Sequence, residues 1–243
     1  MAKYAILSDI HGNLQALQQV HCDLQQFDIC GIILLGDLID YGMQSNEVVE
    51  YVRTKMSDHI ICNIWGNHER AILLSDFTGF SSQRGVDSAK YTAFKLETEI
   101  KKYLETELDC RGFCEFTLDG KKCLAVHGSM ENPFWKSIFP DSVHGDYKSY
   151  DLVFSGHSHC SHMFTKFYKA DCPELRDQHA VMFMNPGSVG QPRNQHPEAQ
   201  YIILDSKSMS VDFRGVSYDI DKTISYFNQS VDEFYWKRLK NGV

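Results

Sequence analysis

Five times along this chain a short apolar run ends on glycine together with aspartate, asparagine or histidine. The runs cover residues 4–7, 31–35, 60–64, 122–126 and 152–154, and the clusters that follow are Ser8-Asp9-Ile10-His11-Gly12, Gly36-Asp37, Gly66-Asn67-His68-Glu69, His127-Gly128 and Gly156-His157-Ser158-His159. Short β-branched runs bounded by turn residues read as buried strands. Two more such runs lie at 181–184 and 201–204. Amphipathic stretches at 13–26 and 46–56 separate the early runs, with Leu14, Leu17, Val20 and Leu24 at helical spacing. This alternation predicts an α/β architecture. In an open α/β sheet, ligands bind beyond the carboxyl ends of the strands, so the five loops are expected to deliver their polar side chains to one cleft.

The remaining segments refine the outline. Residues 70 to about 110 hold a glycine-rich turn at 77–85 and a helix-like run at 90–108, and are expected to form a helical insertion capping the site. Residues 219–239 read as a polar C-terminal helix stopped near Gly242. A chain of 243 residues suits a single domain, 1–243, with insertions. No run approaches the ~18–20 apolar residues of a membrane span. The opening MAKYAILSDIHG shows no export signal, and the eight cysteines read as reduced thiols, so a cytoplasmic protein is expected. The net charge of −8 disfavours duplex nucleic acid as a partner. It is compatible with a small phosphorylated substrate if bound divalent cations reverse the charge locally.

Taken singly, the clusters are weak signals. Asp9-x-His11 could be a helix cap followed by a surface histidine, Gly36-Asp37 a common turn, and Asn67 a cap for the helix after it. Five of them after five strands point instead to a metal centre. Two carboxylates (Asp9, Asp37), four imidazoles (His11, His127, His157, His159) and the amide oxygen of Asn67 suit borderline divalent cations: Mn, Fe, Zn, Ni or Co. Seven ligands are too many for one tetrahedral ion but fit two ions bridged by a carboxylate, for which Asp37 is the natural choice.

The motifs Asp-x-His, Gly-Asp, Gly-Asn-His, a lone His and Gly-His-x-His, here running from Asp9 to His159, resemble the signature of the calcineurin-like metallophosphoesterases. Asn185-Pro186-Gly187-Ser188-Val189-Gly190 is similar to a loop in the family's small bacterial cytosolic phosphodiesterase branch. The resemblance implies a four-layer α/β/β/α sandwich with two mixed sheets. It implies one metal held by Asp9, His11, Asp37 and His159, and a second held by Asp37, Asn67, His127 and His157. It places His68 near the scissile phosphate as general acid or transition-state stabiliser. The implied reaction is hydrolysis of a phosphodiester or nucleotide by in-line attack of a metal-bridging hydroxide.

The motifs also look like those of protein serine/threonine phosphatases, which carry arginines where this chain has Tyr41 and Trp65. A guanidinium is a preferred fork for a phosphate dianion, so its replacement favours a diester or nucleotide over a phosphomonoester or phosphoprotein. A non-catalytic binding module is the third reading, and the complete ligand set with His68 argues against it. Phe77, Phe80, Phe134 and Trp135 read chiefly as packing, and Arg84 and Arg193 as solvated surface. Asp40 reads equally as a partner of His68 and as a cap for a helix starting near Ser45. Among the remaining histidines, only His162 is a candidate to support a ligand histidine.

Overall fold

The computed structural model describes residues 2–243. Ten strands form two mixed five-stranded sheets. In the first sheet β1 (Lys3–Leu7), β2 (Ile29–Leu34) and β3 (Ile60–Asn63) run parallel, and β9 (Ala199–Asp205) and β10 (Ser210–Val216) continue antiparallel from β1, in the order β10-β9-β1-β2-β3. In the second, β5 (Lys121–Val126), β6 (Leu152–Ser155) and β8 (Gln178–Asn185) run parallel. The antiparallel β4 (Phe113–Leu118) and β7 (His162–Lys169) form its edges, in the order β4-β5-β6-β8-β7.

The period of two along each strand sorts side chains between layers. Ile6, Ile33, Ile202 and Leu204 of the first sheet meet Cys123, Ala125, Phe154 and Met184 of the second in a buried layer between them. Ala5, Leu7, Leu34 and Tyr201 point the other way, into a helical layer that includes Leu17, Val20, Val48, Ile100 and Leu104. On the second sheet's outer face Leu124, Val126, Val153 and Phe183 are covered by Ile138, Tyr147 and Tyr150. The expected sandwich is present, with this outermost layer built of turns.

The helices are α1 (Leu14–Leu24), α2 (Ser45–Tyr51), α3 (Asn67–Leu73), α4 (Gln83–Lys95), α5 (Thr98–Glu107), α6 (Ile220–Ser225) and α7 (Glu233–Lys237). Asn13 caps α1 by accepting from Ala16 N at 3.2 Å. The helix-like run at 90–108 is broken at Leu96-Glu97. There the side chain of Asn46 donates to the Lys95 carbonyl and accepts from Glu97 N, both at 3.0 Å, so a distant side chain satisfies backbone groups that a continuous helix would pair internally. The C-terminal helix is likewise two short helices. Asn228 accepts from Ser230 N and Asp232 caps α7 at Phe234 N, each at 2.8 Å, and these local bonds compete with helix continuation. Among the described residues no helix is long and apolar enough to cross a membrane.

Candidate metal centre

The predicted ligands all leave the carboxyl ends of parallel strands: Asp9 and His11 after β1, Asp37 after β2, Asn67 after β3, His127 after β5, and His157 and His159 after β6. The loops are laced together by backbone bonds, including Asp9 N to Gly36 O at 3.1 Å, His11 N to Asp37 O at 2.9 Å and Gly156 N to His127 O at 2.9 Å. Asp9, His11, Asp37, His157 and His159 have φ of 55°, 48°, 54°, 64° and 57°. Side chains seldom adopt this left-handed region, and such strain persists only where the surroundings over-determine it. Close approach explains two glycines: a Cβ on Gly66 would lie 2.0 Å from Asp37 Oδ1, and one on Gly190 would lie 1.8 Å from the Ile10 carbonyl oxygen.

The geometry brings every predicted ligand to one place. Asp9 Oδ1 lies 3.1 Å from His159 Nε2 and 3.7 Å from His11 Nε2. Asp37 Oδ2 lies 3.4 Å from His127 Nε2, 3.6 Å from His11 Nε2 and 3.9 Å from His68 Nε2. Asn67 Oδ1 is 2.9 Å from His127 Nε2. Asp9, His11 and His159 form one group whose ligand atoms lie within 4.8 Å of one another, and Asp37, His127 and His157 form another. A third combination, His11, Asp37 and His68, meets the same distance.

Two observations test whether these residues fit divalent cations. Asp9 Oδ1 and Asp37 Oδ2 are buried without a hydrogen-bond partner, although buried carboxylate oxygens otherwise find donors. The other oxygens of the same groups are satisfied: Asp9 Oδ2 accepts from Ser8 Oγ at 2.5 Å and His157 N at 3.0 Å, and Asp37 Oδ1 from His68 N at 2.9 Å. Secondly, His11, His127 and His159 each turn Nδ1 to a backbone carbonyl, of Ile39 at 3.2 Å, Leu35 at 2.7 Å and Gln191 at 2.6 Å. With Nδ1 as donor, each ring turns Nε2 to the cluster, where the neutral ring offers a lone pair, the arrangement that orients a ligating histidine. The residues fit.

Electrostatics agree. Burial pushes His157 down to about 4 and His159 to about 3, so both are neutral imidazoles. Burial lowers His127 too, but Asp37 and then Asp9 override it and raise the ring to about 9. The negative charge that holds a proton on His127 is charge a divalent cation would neutralise. Burial raises Asp9, yet His159 and His11 hold its carboxyl well below the usual range.

His68 is held differently from the ligands. Its Nδ1 donates to Asp40 Oδ2 at 2.7 Å, while Asp40 Oδ1 accepts from Ser88 Oγ at 2.7 Å and Thr92 Oγ1 at 2.9 Å of α4. Asp40 is thus the partner of His68 and not the cap of α2, which starts after Gln44. Burial lowers His68, but Asp37 and Asp40 together raise it above an ordinary histidine. His162 does not support a ligand histidine: its Nδ1 faces the Cys160 carbonyl at 2.9 Å.

The chain also contains supports not foreseen from its sequence. The carboxylate of Glu69 accepts from the backbone amides of Asp37, Leu38, Ile39 and Gly66 at 2.8 to 3.3 Å. Its place three residues after Gly66, a capping-box spacing, was the available signal. Ser188 Oγ donates to the Asp9 carbonyl at 2.7 Å, tying the loop after β8 to the site.

A cleft of about 440 Å³ opens over the cluster. Phe80 and Trp135 line it with centroids 5.4 Å apart, while Phe134 and Phe77 pack into the helical layer. Tyr41 also lines it, 4.4 Å from the His68 ring, whereas Trp65 turns away and donates Nε1 to the Leu104 carbonyl at 2.6 Å. Arg193, expected on the solvated surface, lines the cleft.

A family profile described as the calcineurin-like phosphoesterase superfamily domain matches residues 2–209. The chain belongs to the calcineurin-like phosphoesterase superfamily. Within it, the chain is 32% identical over 222 residues to the protein MJ0912 of Methanocaldococcus jannaschii, covering 90% of this chain and 88% of that protein. A crystal structure of a metallophosphoesterase from Sphaerobacter thermophilus is similar at 28% identity and a TM-score of 0.74, covering 100% of this chain and 99% of that one. A Pyrococcus horikoshii protein of 21% identity shares the fold at a TM-score of 0.80 over 100% and 99% of the two chains. The superfamily makes the chain a metal-dependent phosphoesterase.

Proposed function

We propose that the protein hydrolyses a phosphodiester or nucleotide at a dinuclear centre, with Asp9, His11, Asp37 and His159 holding one divalent cation and Asp37, Asn67, His127 and His157 the other. The pair of buried, unpartnered carboxylate oxygens facing imidazole Nε2 atoms carries this reading. Bound there, two divalent cations supply an acidified water near neutral pH and neutralise the phosphate oxygens. Mn, Fe, Zn, Ni and Co all suit this donor set.

The protein's own part is positioning and proton transfer. Hydrolysis adds water across the P–O bond: hydroxide joins phosphorus, the bond to the leaving oxygen breaks, and that oxygen departs with a proton. His68, on the cleft wall and tethered through Nδ1 to Asp40, is the donor of that proton. The turn at 79–81, before α4, forms one wall of the cleft, the part of the predicted cap that would meet a substrate. Eight free cysteines accord with a cytoplasmic setting.

The rival monoesterase reading needs a cation where protein phosphatases have arginine. Tyr41 offers none there, since burial and Tyr235 keep its phenol neutral by raising its pKa. The test is hydrolysis of an aryl phosphodiester and its matching monoester by chelator-stripped protein, with and without added manganese, beside Asp37→Ala. Diesterase activity that needs manganese and is lost in the variant is expected. A clear preference for the monoester would overturn the substrate assignment, and no activity with metal bound would overturn the enzymatic one.

A further inference from the structure

Arg193 is the feature of the cleft that the proposed chemistry leaves unused. Its backbone N donates to the His159 carbonyl at 3.2 Å, and two residues earlier the Gln191 carbonyl accepts from His159 Nδ1 at 2.6 Å. Its position relative to the metal ligands is therefore set by the fold. The side chain is half-buried on the cleft wall, and its Nε is buried with no hydrogen-bond partner. Most buried polar groups in folded proteins are satisfied, so this guanidinium on the cleft wall has donor capacity that the chain itself does not use.

Two more arginines stand behind it. Arg84 of α4 and Arg238, just after α7, lie over the same Phe234 ring at 4.1 and 4.8 Å. The neighbouring Tyr235 stacks on Tyr41 at 4.3 Å, which brings this group to the cleft. Arg193 and Arg84 pair with no carboxylate side chain among the described residues and Arg238 Nε donates to the Val243 oxygen, whereas Arg53, Arg111 and Arg214 each pair with an aspartate or glutamate. The chain has 32 acidic residues against 24 basic ones, so leaving Arg193 and Arg84 without a carboxylate is not explained by a shortage of carboxylates. The mutual repulsion of the three arginines is evident: burial, then the charges of Arg193 and Arg84, lower Arg238 to about 10.

We infer that Arg193, backed by Arg84 and Arg238, forms an anion subsite beside the metal-ligand cluster that holds a second, non-reacting phosphoryl group, so that the substrate is a nucleotide with two or more linked phosphates. This rests on the phosphoesterase reading above and narrows its substrate class. The metal cations would neutralise the reacting phosphate, and a planar guanidinium fork matches the oxygens of a neighbouring one. Phe80 and Trp135 line the same cleft and add apolar surface beside the cluster.

The arginines do not depend on the metals, so binding can be read without catalysis. Calorimetric titration of chelator-stripped protein with pyrophosphate should show binding that Arg193→Met weakens by at least about tenfold, with Arg193→Lys losing less. Arg238→Met should weaken it by a smaller factor. In manganese-loaded protein, the ratio of kcat/KM for ADP to that for thymidine 5′-(p-nitrophenyl phosphate) should fall by at least about tenfold in Arg193→Met. Pyrophosphate binding unchanged in both methionine variants would overturn the subsite. An equal fall on both substrates would also overturn it, by placing Arg193 on the reacting phosphate. Arg193-dependent pyrophosphate binding in a protein that hydrolyses neither substrate would uphold the subsite and sink the phosphoesterase reading, so the two fail separately.

Discussion

At the scale of single residues, the site depends on groups that never touch a metal or a substrate. Asp40 fixes the His68 ring through Nδ1 and is itself fixed by Ser88 and Thr92. Asp40→Asn weakens that tether while keeping size and shape. It should lower kcat by about 10 to 100-fold, as loss of a partner that orients a functional histidine does, with KM and bound metal little changed. Metal analysis beside steady-state kinetics checks this, and a loss of metal equal to the loss of rate would show that His68 acts as a ligand. Glu69 works on the backbone instead. Its carboxylate accepts four amide donors from the two loops that carry Asp37 and Asn67, although burial and Asp37 push its pKa up to about 7. In Glu69→Gln an amide NH₂ faces amide donors, which should lower unfolding free energy by about 1–3 kcal/mol. Urea unfolding with unchanged stability would show that the four bonds are replaceable.

Between elements, one ion pair ties the helical layer to the first sheet. Asp23, near the end of α1, accepts from Arg214 Nε at 2.7 Å and Nη2 at 3.1 Å, and from Tyr201 Oη at 2.5 Å. Arg214 is on β10 and Tyr201 on β9, so the contact joins three elements. Hydrogen bonding from Arg214, and then from Tyr201, holds the Asp23 carboxyl below its ordinary value. With the folded pKa depressed, the unfolded chain binds more protons between the two values, so stability rises with pH there. The contribution is complete above the unfolded value near ~4 and is lost as pH falls through the folded one. Asp23→Asn should therefore be less stable by about 1–3 kcal/mol at neutral pH, with the difference shrinking below pH ~4. Urea melts across that range decide it, and a difference independent of pH would sink the assignment. The same scale shows what was legible in the sequence. All seven strands read from apolar runs are present; six of them are interior, and the seventh, β3, is an edge strand parallel to β2. The three missed, β4, β7 and β10, are all sheet edges. β7 alternates half-buried and exposed side chains along its whole length, so it has no continuous apolar run to find. The candidate ligand loops were legible because glycine and histidine, aspartate or asparagine directly follow the parallel strands. The Leu96-Glu97 break was not, because Asn46, fifty or so positions away, supplies it (about the span from α2 to α5).

For the whole molecule, the centre is a point where folding and metal binding are linked. At the centre lie Asp9 and Asp37, two fully buried carboxylates held well below the usual range by their histidine neighbours, each with one oxygen lacking a donor. Asp9 and Asp37 follow β1 and β2 of the first sheet while His127, His157 and His159 follow β5 and β6 of the second, so a cation shared among them would join the halves of the sandwich and bind the folded chain far better than the unfolded one. A ligand that binds only the folded state stabilises it by about 2.7 kcal/mol when its free concentration is about 100-fold above Kd. In a chain of this size each kcal/mol moves Tm by about 2–4 °C. Adding manganese to chelator-stripped protein should therefore raise Tm by about 5–10 °C for each site filled. Asp37→Asn gives a sharper result than the rise itself. If Asp37 bridges, the variant weakens both sites together and the whole increment should disappear. If the increment merely halves, the two ligand groups hold their cations independently, and Asp37 belongs to one of them alone.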